Sequence, residues 1–188
     1  MSLALNNETV RIIGGRWRGR KLHFPVLPGL RPSSDRLRET LFNWLMHDIP
    51  GTSCLDVFAG SGALGFEAIS RGASSVVFLD MAAEAVKALR DNADRLSASE
   101  AMIYQDDALR FLRHTERRFD IIFLDPPFDS DFLSSALALI GDHDLLSEGG
   151  LIYIEYAKND SPDLSAWQIK KEKVAGRVVY GLLARKSL

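Results

Sequence analysis

The sequence predicts an α/β protein: a mostly parallel, doubly wound sheet that finishes in an antiparallel hairpin and carries a small β appendage at its N-terminus. Three observations lead there. From Cys54 to Tyr156, short apolar runs of strand character alternate with stretches of helical periodicity. A glycine-rich turn, Gly60-Ser61-Gly62-Ala63-Leu64-Gly65, joins the first of these strands to the first of these helices. After Tyr156 the alternation breaks, and residues 168–174 and 178–184 read as two strands separated by Ala175-Gly176-Arg177, a hairpin signal.

Residues 1–8 are polar and expected to fray. Val10 to Ile13 reads as a strand, Gly14-Gly15 as a turn, and Leu22 to Phe24 as strand again. In between, Arg16, Arg18 and Arg20 alternate with Trp17, Gly19 and Lys21. In an extended chain, period 2 puts the three arginines on one face. Trp17 is available there for packing or for stacking on a base. Pro25, Pro28, Gly29 and Pro32 make a stiff connector, so residues 1–32 read as a basic hairpin extension with its linker and residues 33–188 as the main domain.

Ser33-Ser34-Asp35 offers N-cap oxygens for a helix. Leu37, Leu41, Phe42 and Leu45 form its apolar face, with Arg36, Arg38 and Glu39 largely off that face and an end near His47-Asp48. Strands then fall at Cys54–Phe58, Ser75–Leu79, Ala101–Tyr104, Phe119–Leu124 and Leu151–Tyr156. Helices fall at Ala63–Ser70, Ala82–Leu96, Leu109–His114 and Phe132–Ile140.

Hydrophobic residues at 46% and charged residues at 26% are the proportions of a soluble globular domain rather than a disordered or membrane chain. One cysteine, Cys54, in an apolar strand excludes a disulfide framework within the chain and argues against covalent catalysis. No basic n-region with a long apolar run opens the sequence, so a cytoplasmic protein is expected. His23, His47, His114 and His143 are scattered without metal-ligand spacing, and no metal is expected. The net charge of −2 does not suggest nucleic-acid binding, but its distribution does. Residues 1–50 carry a net +4 and residues 51–188 a net −6, and Arg11 to Lys21 holds five basic residues and no acid. That field suits phosphate, or it is a solvated basic hairpin.

Two motifs carry chemistry. The strand Phe119–Leu124 runs into Asp125-Pro126-Pro127-Phe128. Proline cannot donate to a sheet ladder, so the strand stops there and the acid and aromatic sit at its carboxyl end, the edge where open α/β sheets bind ligands. A carboxylate and a neighbouring carbonyl can accept the two N–H bonds of a planar amine while the ring stacks on its base. Asp125 as an ordinary helix cap is the plainer alternative. In the second motif, Gly60, Gly62 and Gly65 satisfy G-x-G-x-x-G after Asp56-Val57-Phe58-Ala59, and Asp80 ends the next strand 20 residues after Gly60. The fingerprint indicates a nucleoside cofactor. Asp56 beside the turn repels a pyrophosphate and suits the amino group or sulfonium of S-adenosylmethionine. Asp80 suits the ribose hydroxyls, and Asp107 the adenine amine, with Asp106 as the other candidate; whichever is not the ligand reads as a helix cap.

Asp56 to Gly65, Asp80, Asp107 and Asp125 to Phe128 resemble the first four motifs of Rossmann-like class I methyltransferases. Nearly the whole chain resembles one bacterial family, the rRNA small subunit methyltransferase D family. The matching elements are Arg11-Ile12-Ile13-Gly14-Gly15, Arg18-Gly19-Arg20-Lys21-Leu22, Arg31-Pro32-Ser33-Ser34-Asp35-Arg36, Arg38-Glu39, Leu41-Phe42-Asn43, the glycine turn through Ser70-Arg71-Gly72-Ala73, and the acid–Pro–Pro–Phe. Ser33 stands where threonine is common and Asp80 where glutamate is common; each keeps the functional group.

The resemblance implies transfer of a methyl group from S-adenosylmethionine to the N2 amine of one guanine of 16S rRNA in the small ribosomal subunit; a DNA adenine-N6 methyltransferase and a non-catalytic RNA-binding assembly factor are the alternatives, and a monomer is expected. It implies Asp125, Pro126 and Phe128 as catalytic residues. Asp56, Phe58, Gly60, Ser61, Gly62, Asp80 and Asp107 would hold the cofactor. Arg16, Trp17, Arg18, Arg20 and Lys21 would grip RNA.

Overall fold

The computed structural model describes residues 7–27, 34–127 and 131–186; Arg31, Pro32, Ser33 and Phe128 lie outside them. Seven strands form one sheet: β3 (Ser53–Asp56), β4 (Ser75–Asp80), β5 (Ala101–Gln105), β6 (Phe119–Leu124), β7 (Leu146–Ala157), β8 (Trp167–Ala175) and β9 (Val178–Arg185). Their order is β5-β4-β3-β6-β7-β9-β8. The first five run parallel, and β9 inserts antiparallel between β7 and β8. The chain builds outward from β3 in one direction and then restarts at β6 in the other. The crevice at the carboxyl ends of β3 and β6 is therefore the switch point of the sheet, the place where such folds bind ligands.

Two apolar layers sandwich the sheet. On one face α1 (Asp35–Trp44), α2 (Ala63–Ser70) and part of α3 (Ala83–Leu96) pack with Phe123, Tyr153, Tyr180 and the N-terminal hairpin. On the other, α4 (Ala108–His114) and α5 (Phe132–Asp142) cover Ile122, Leu124, Ile152 and Ile154. Alternation explains both layers, since Ile121 and Phe123 face one way and Ile122 and Leu124 the other. Among the described residues no helix is long and apolar enough to cross a membrane.

Most elements fall where periodicity places them, and α2 has the expected bounds. Two corrections concern the N-terminal half. The hairpin is β1 (Asn7–Arg11) paired antiparallel with β2 (Lys21–Pro25), and the residues between them are not extended. Gly15 and Gly19 take φ of +72° and +84°, so the chain folds into one 3₁₀ turn over Gly15–Trp17 and a second tight turn. The alternating arginine face does not exist. The indole of Trp17 is only 8% exposed and packs in the core, which leaves no open ring for a base.

The second correction is in α1, which ends at Trp44. Arg38 is not on its outer face but fully buried. It sits three, four and seven residues before Leu41, Phe42 and Leu45, on their side of the helix. Burial is tolerated because Nη2 donates to Arg11 O (2.9 Å) and Asp35 Oδ1 (2.7 Å), and Nη1 lies 3.7 Å from Glu67 Oε2.

Candidate functional site

β3 ends at Asp56, and the chain turns at once into the glycine motif. Gly60 and Gly62 take φ of +51° and +76°, with Gly62 opening α2 in the left-handed region. A Cβ on Gly62 would lie 2.6 Å from Leu89 Cδ2, and one on Gly65 only 2.2 Å from Phe78 Cε1. The glycines are thus needed twice, for the turn and for seating α2 close against α3 and β4.

Asp56, 2% exposed, accepts the Gly65 N–H at Oδ2 (3.0 Å). Burial pushes its carboxyl up to about 7, the Gly65 N–H opposes this, and the Asp80 charge adds to it. Asp80 ends β4 with Oδ2 accepting from Gly60 N–H (2.9 Å) and Oδ1 from Ala82 N–H (2.8 Å). It ties the glycine turn to the next strand. Ser61 is buried, and its Oγ accepts from Ala63 N–H (3.3 Å). Phe58 is half-buried, its ring tilted against Phe132 at 5.8 Å. Farther along the same edge, Asp107 caps α4 through Oδ1 and the Arg110 N–H (2.7 Å). Asp106 pairs with the Arg110 guanidinium at 2.5 Å.

Asp125, half-buried, and Pro126, buried, leave the carboxyl end of β6, the strand directly beside β3. Two residues missed at the sequence level stand behind them. Tyr153 and Glu155 of β7 are both buried, and Tyr153 Oη donates to Glu155 Oε1 (2.7 Å). The Tyr153 hydroxyl is held well above its ordinary value by burial first, then by the Glu155 and Asp125 charges. The signal was present as an acid two residues after a tyrosine near the end of a strand, one face at period 2.

The expected RNA-gripping residues stand elsewhere. Arg16 pairs with Glu100 (2.6 Å), Trp17 N–H donates to Ser70 Oγ (2.9 Å), and Arg20 Nη2 donates to Arg95 O (3.0 Å). Ser70 ends α2, Arg95 is in the last turn of α3, and Glu100 immediately precedes β5. All three anchors mark the amino edge of the parallel strands. Arg16, Arg18, Arg20 and Lys21 are exposed there, about one strand length (~20 Å) from Asp125.

The strand order and its antiparallel close are those of the class I methyltransferases, and that class is what the fold defines. Within it, the chain belongs to the ribosomal RNA small subunit methyltransferase D family: the family described as Conserved hypothetical protein 95 matches residues 10–184. Two proteins named ribosomal RNA small subunit methyltransferase D are close relatives. That of Escherichia coli is 44% identical over 95% of this chain and 91% of its own length. That of Haemophilus influenzae is 45% identical over 92% of each. The solved structure of yhhF from Escherichia coli, 41% identical, matches with a TM-score of 0.88 over 95% of this chain and 99% of that one.

Proposed function

We propose that the chain is an S-adenosylmethionine-dependent rRNA methyltransferase acting on the exocyclic N2 amine of one guanine of 16S rRNA in the small ribosomal subunit. The names of its relatives support the rRNA substrate. One observation carries the chemistry: the Asp125-Pro126 turn and the Asp56-to-Gly65 turn leave adjacent strands at the switch point, where Asp56 and Phe123 are register partners.

The residues present fit S-adenosylmethionine. Gly62 leaves no room for a side chain in the turn, and the buried carboxyl of Asp56 faces a cation more readily than a pyrophosphate. Asp80 retains lone pairs for a ribose diol beyond its two amide bonds. Asp107 or Asp106 would accept from the adenine amine, with Phe58 and Ser61 lining the cleft. When bound, the cofactor supplies an electrophilic methyl group on a sulfonium.

The chain's own residues do the rest. The N2 lone pair of guanine is delocalised into the ring. Asp125 and the Pro126 carbonyl accept hydrogen bonds from its two N–H groups, which favours a pyramidal nitrogen with its lone pair localised and aimed at the methyl group. Phe128 stacks on the base and fixes its plane. Catalysis is then orientation and charge stabilisation, with Asp125 or water taking the proton. The target base is unpaired or flipped to reach the turn. Arg16, Arg18, Arg20 and Lys21 hold RNA phosphates distant from the target.

Methyl transfer to small subunits, naked 16S rRNA and duplex DNA, compared with labelled cofactor, tests this reading. Label in subunits is expected; label in DNA alone contradicts it.

A further inference from the structure

We propose that the RNA flanking the target base is held by the β8–β9 hairpin, through Lys158, Lys171, Lys173 and Arg177 on the same edge of the sheet as Asp125. This rests on the methyltransferase reading above. The basic N-terminal turn is at the opposite edge, so it cannot hold the nucleotides next to a base seated at Asp125. Topology puts the C-terminal hairpin there instead. Ala157, the last residue of β7, pairs with Val178, the first of β9, and Lys158 N–H donates to Arg177 O at 2.8 Å. Leu124 pairs with Ile154, so the next level across the sheet runs Asp125, Glu155, Tyr180 and Lys173. Three strand spacings separate its ends, about 14 Å.

These residues also share a face. The Asp125 charge acts on Tyr153, which lies in the same apolar layer as Tyr180. Trp44 stacks on Tyr180 at 5.5 Å, and the Lys173 ammonium lies over Trp44 at 5.8 Å. Lys171 projects with Lys173 at period 2. Lys158, Lys171, Lys173 and Arg177 are all exposed, and among the described residues none has a carboxylate partner. Residues 158–186 hold seven Lys and Arg against three Asp and Glu, in a chain that is acidic overall. Unpaired cations on an exposed strand beside the reaction edge match a phosphate backbone in charge. Lysines on an edge strand also block strand addition, and that role alone would leave RNA binding unaltered.

The test uses the full chain carrying Lys171→Gln, Lys173→Gln and Arg177→Gln together. Its KM for undermethylated small subunits should rise about tenfold with little change in kcat, and the slope of log affinity for 16S rRNA against log salt should fall by about 2. S-adenosylmethionine affinity and the thermal midpoint should stay at wild-type values. The charge-keeping Lys171→Arg, Lys173→Arg, Arg177→Lys variant should restore KM and slope. An unchanged slope and KM would overturn the proposal, as would failure of the charge-keeping variant to restore them. If wild type transfers no methyl group to subunits, the enzymatic reading fails by itself, and the salt slope on 16S rRNA still decides whether this surface binds RNA.

Discussion

Glu67 Oε1 accepts the Gly14 N–H at 2.8 Å, joining the helix that leaves the glycine turn to the N-terminal hairpin. Its other oxygen accepts the Ile13 N–H at 2.8 Å and faces Arg38, and Arg71 Nε donates to Oε1 at 2.7 Å. One buried carboxylate thus collects two backbone amides and two guanidinium groups. The hairpin is part of the same core, not a loose arm.

Glu67→Ala should therefore be among the most damaging single changes. It leaves two partly buried amides and the buried Arg38 charge short of a partner. A loss of about 3–5 kcal/mol is expected, a fall in thermal midpoint on the order of 10 °C. A midpoint within 2 °C of wild type, by roughly that scale, would show that the network does not hold the hairpin.

Gly65→Ala tests the seat of α2. Its Cβ would collide with the Phe78 ring inside the core. Denaturant unfolding should show a loss of about 1–3 kcal/mol from overpacking. Calorimetry should show weakened S-adenosylmethionine binding, because Asp56 loses its alignment with the Gly65 N–H. Wild-type values in both would mean that the helix shifts freely.

In its proposed role, Asp56 should make both stability and cofactor affinity depend on pH. Its folded pKa, about 7, lies above its ordinary value of 3.8. Between these the folded protein keeps a proton that the unfolded chain has released. The ligand-free protein should lose stability as pH rises from about 4 to about 7 and level off above. A cationic ligand beside Asp56 reverses the sign for binding: S-adenosylmethionine affinity should rise as pH rises through about 7, by up to tenfold per unit below it. Asp56→Asn should flatten both profiles. A wild-type affinity independent of pH between about 5.5 and 7.5 would remove Asp56 from the cation site.

Much of this was legible in the sequence, because period and turn chemistry are local. The β-α alternation, the glycine turn and the strand stopped by Pro126 all follow from such signals. What was not legible needed a second element. Arg38 reads as a surface residue until Glu67 of α2 is placed opposite it. Trp17 reads as accessible until Gly15 and Gly19 fold its segment into turns against Ser70. The basic C-terminal hairpin was hidden by averaging. Residues 51–157 hold 18 acids and 8 bases, and counting them with the last 31 residues gave one acidic half. Nothing in the linear order of Arg16 to Lys21 says that they lie at the edge opposite Asp125. The parallel connections through α2 and α3 decide it.

In the proposed mechanism Asp125 holds a guanine amine for methyl transfer. The most direct measurement is transfer of label from S-adenosylmethionine to undermethylated small subunits by wild type and Asp125→Ala side by side, with nucleoside analysis of the product. N2-methylguanosine from wild type and a loss of about 100-fold or more in kcat for the variant are expected. A different methylated nucleoside would contradict the substrate, and equal rates from the two enzymes would contradict the role of Asp125.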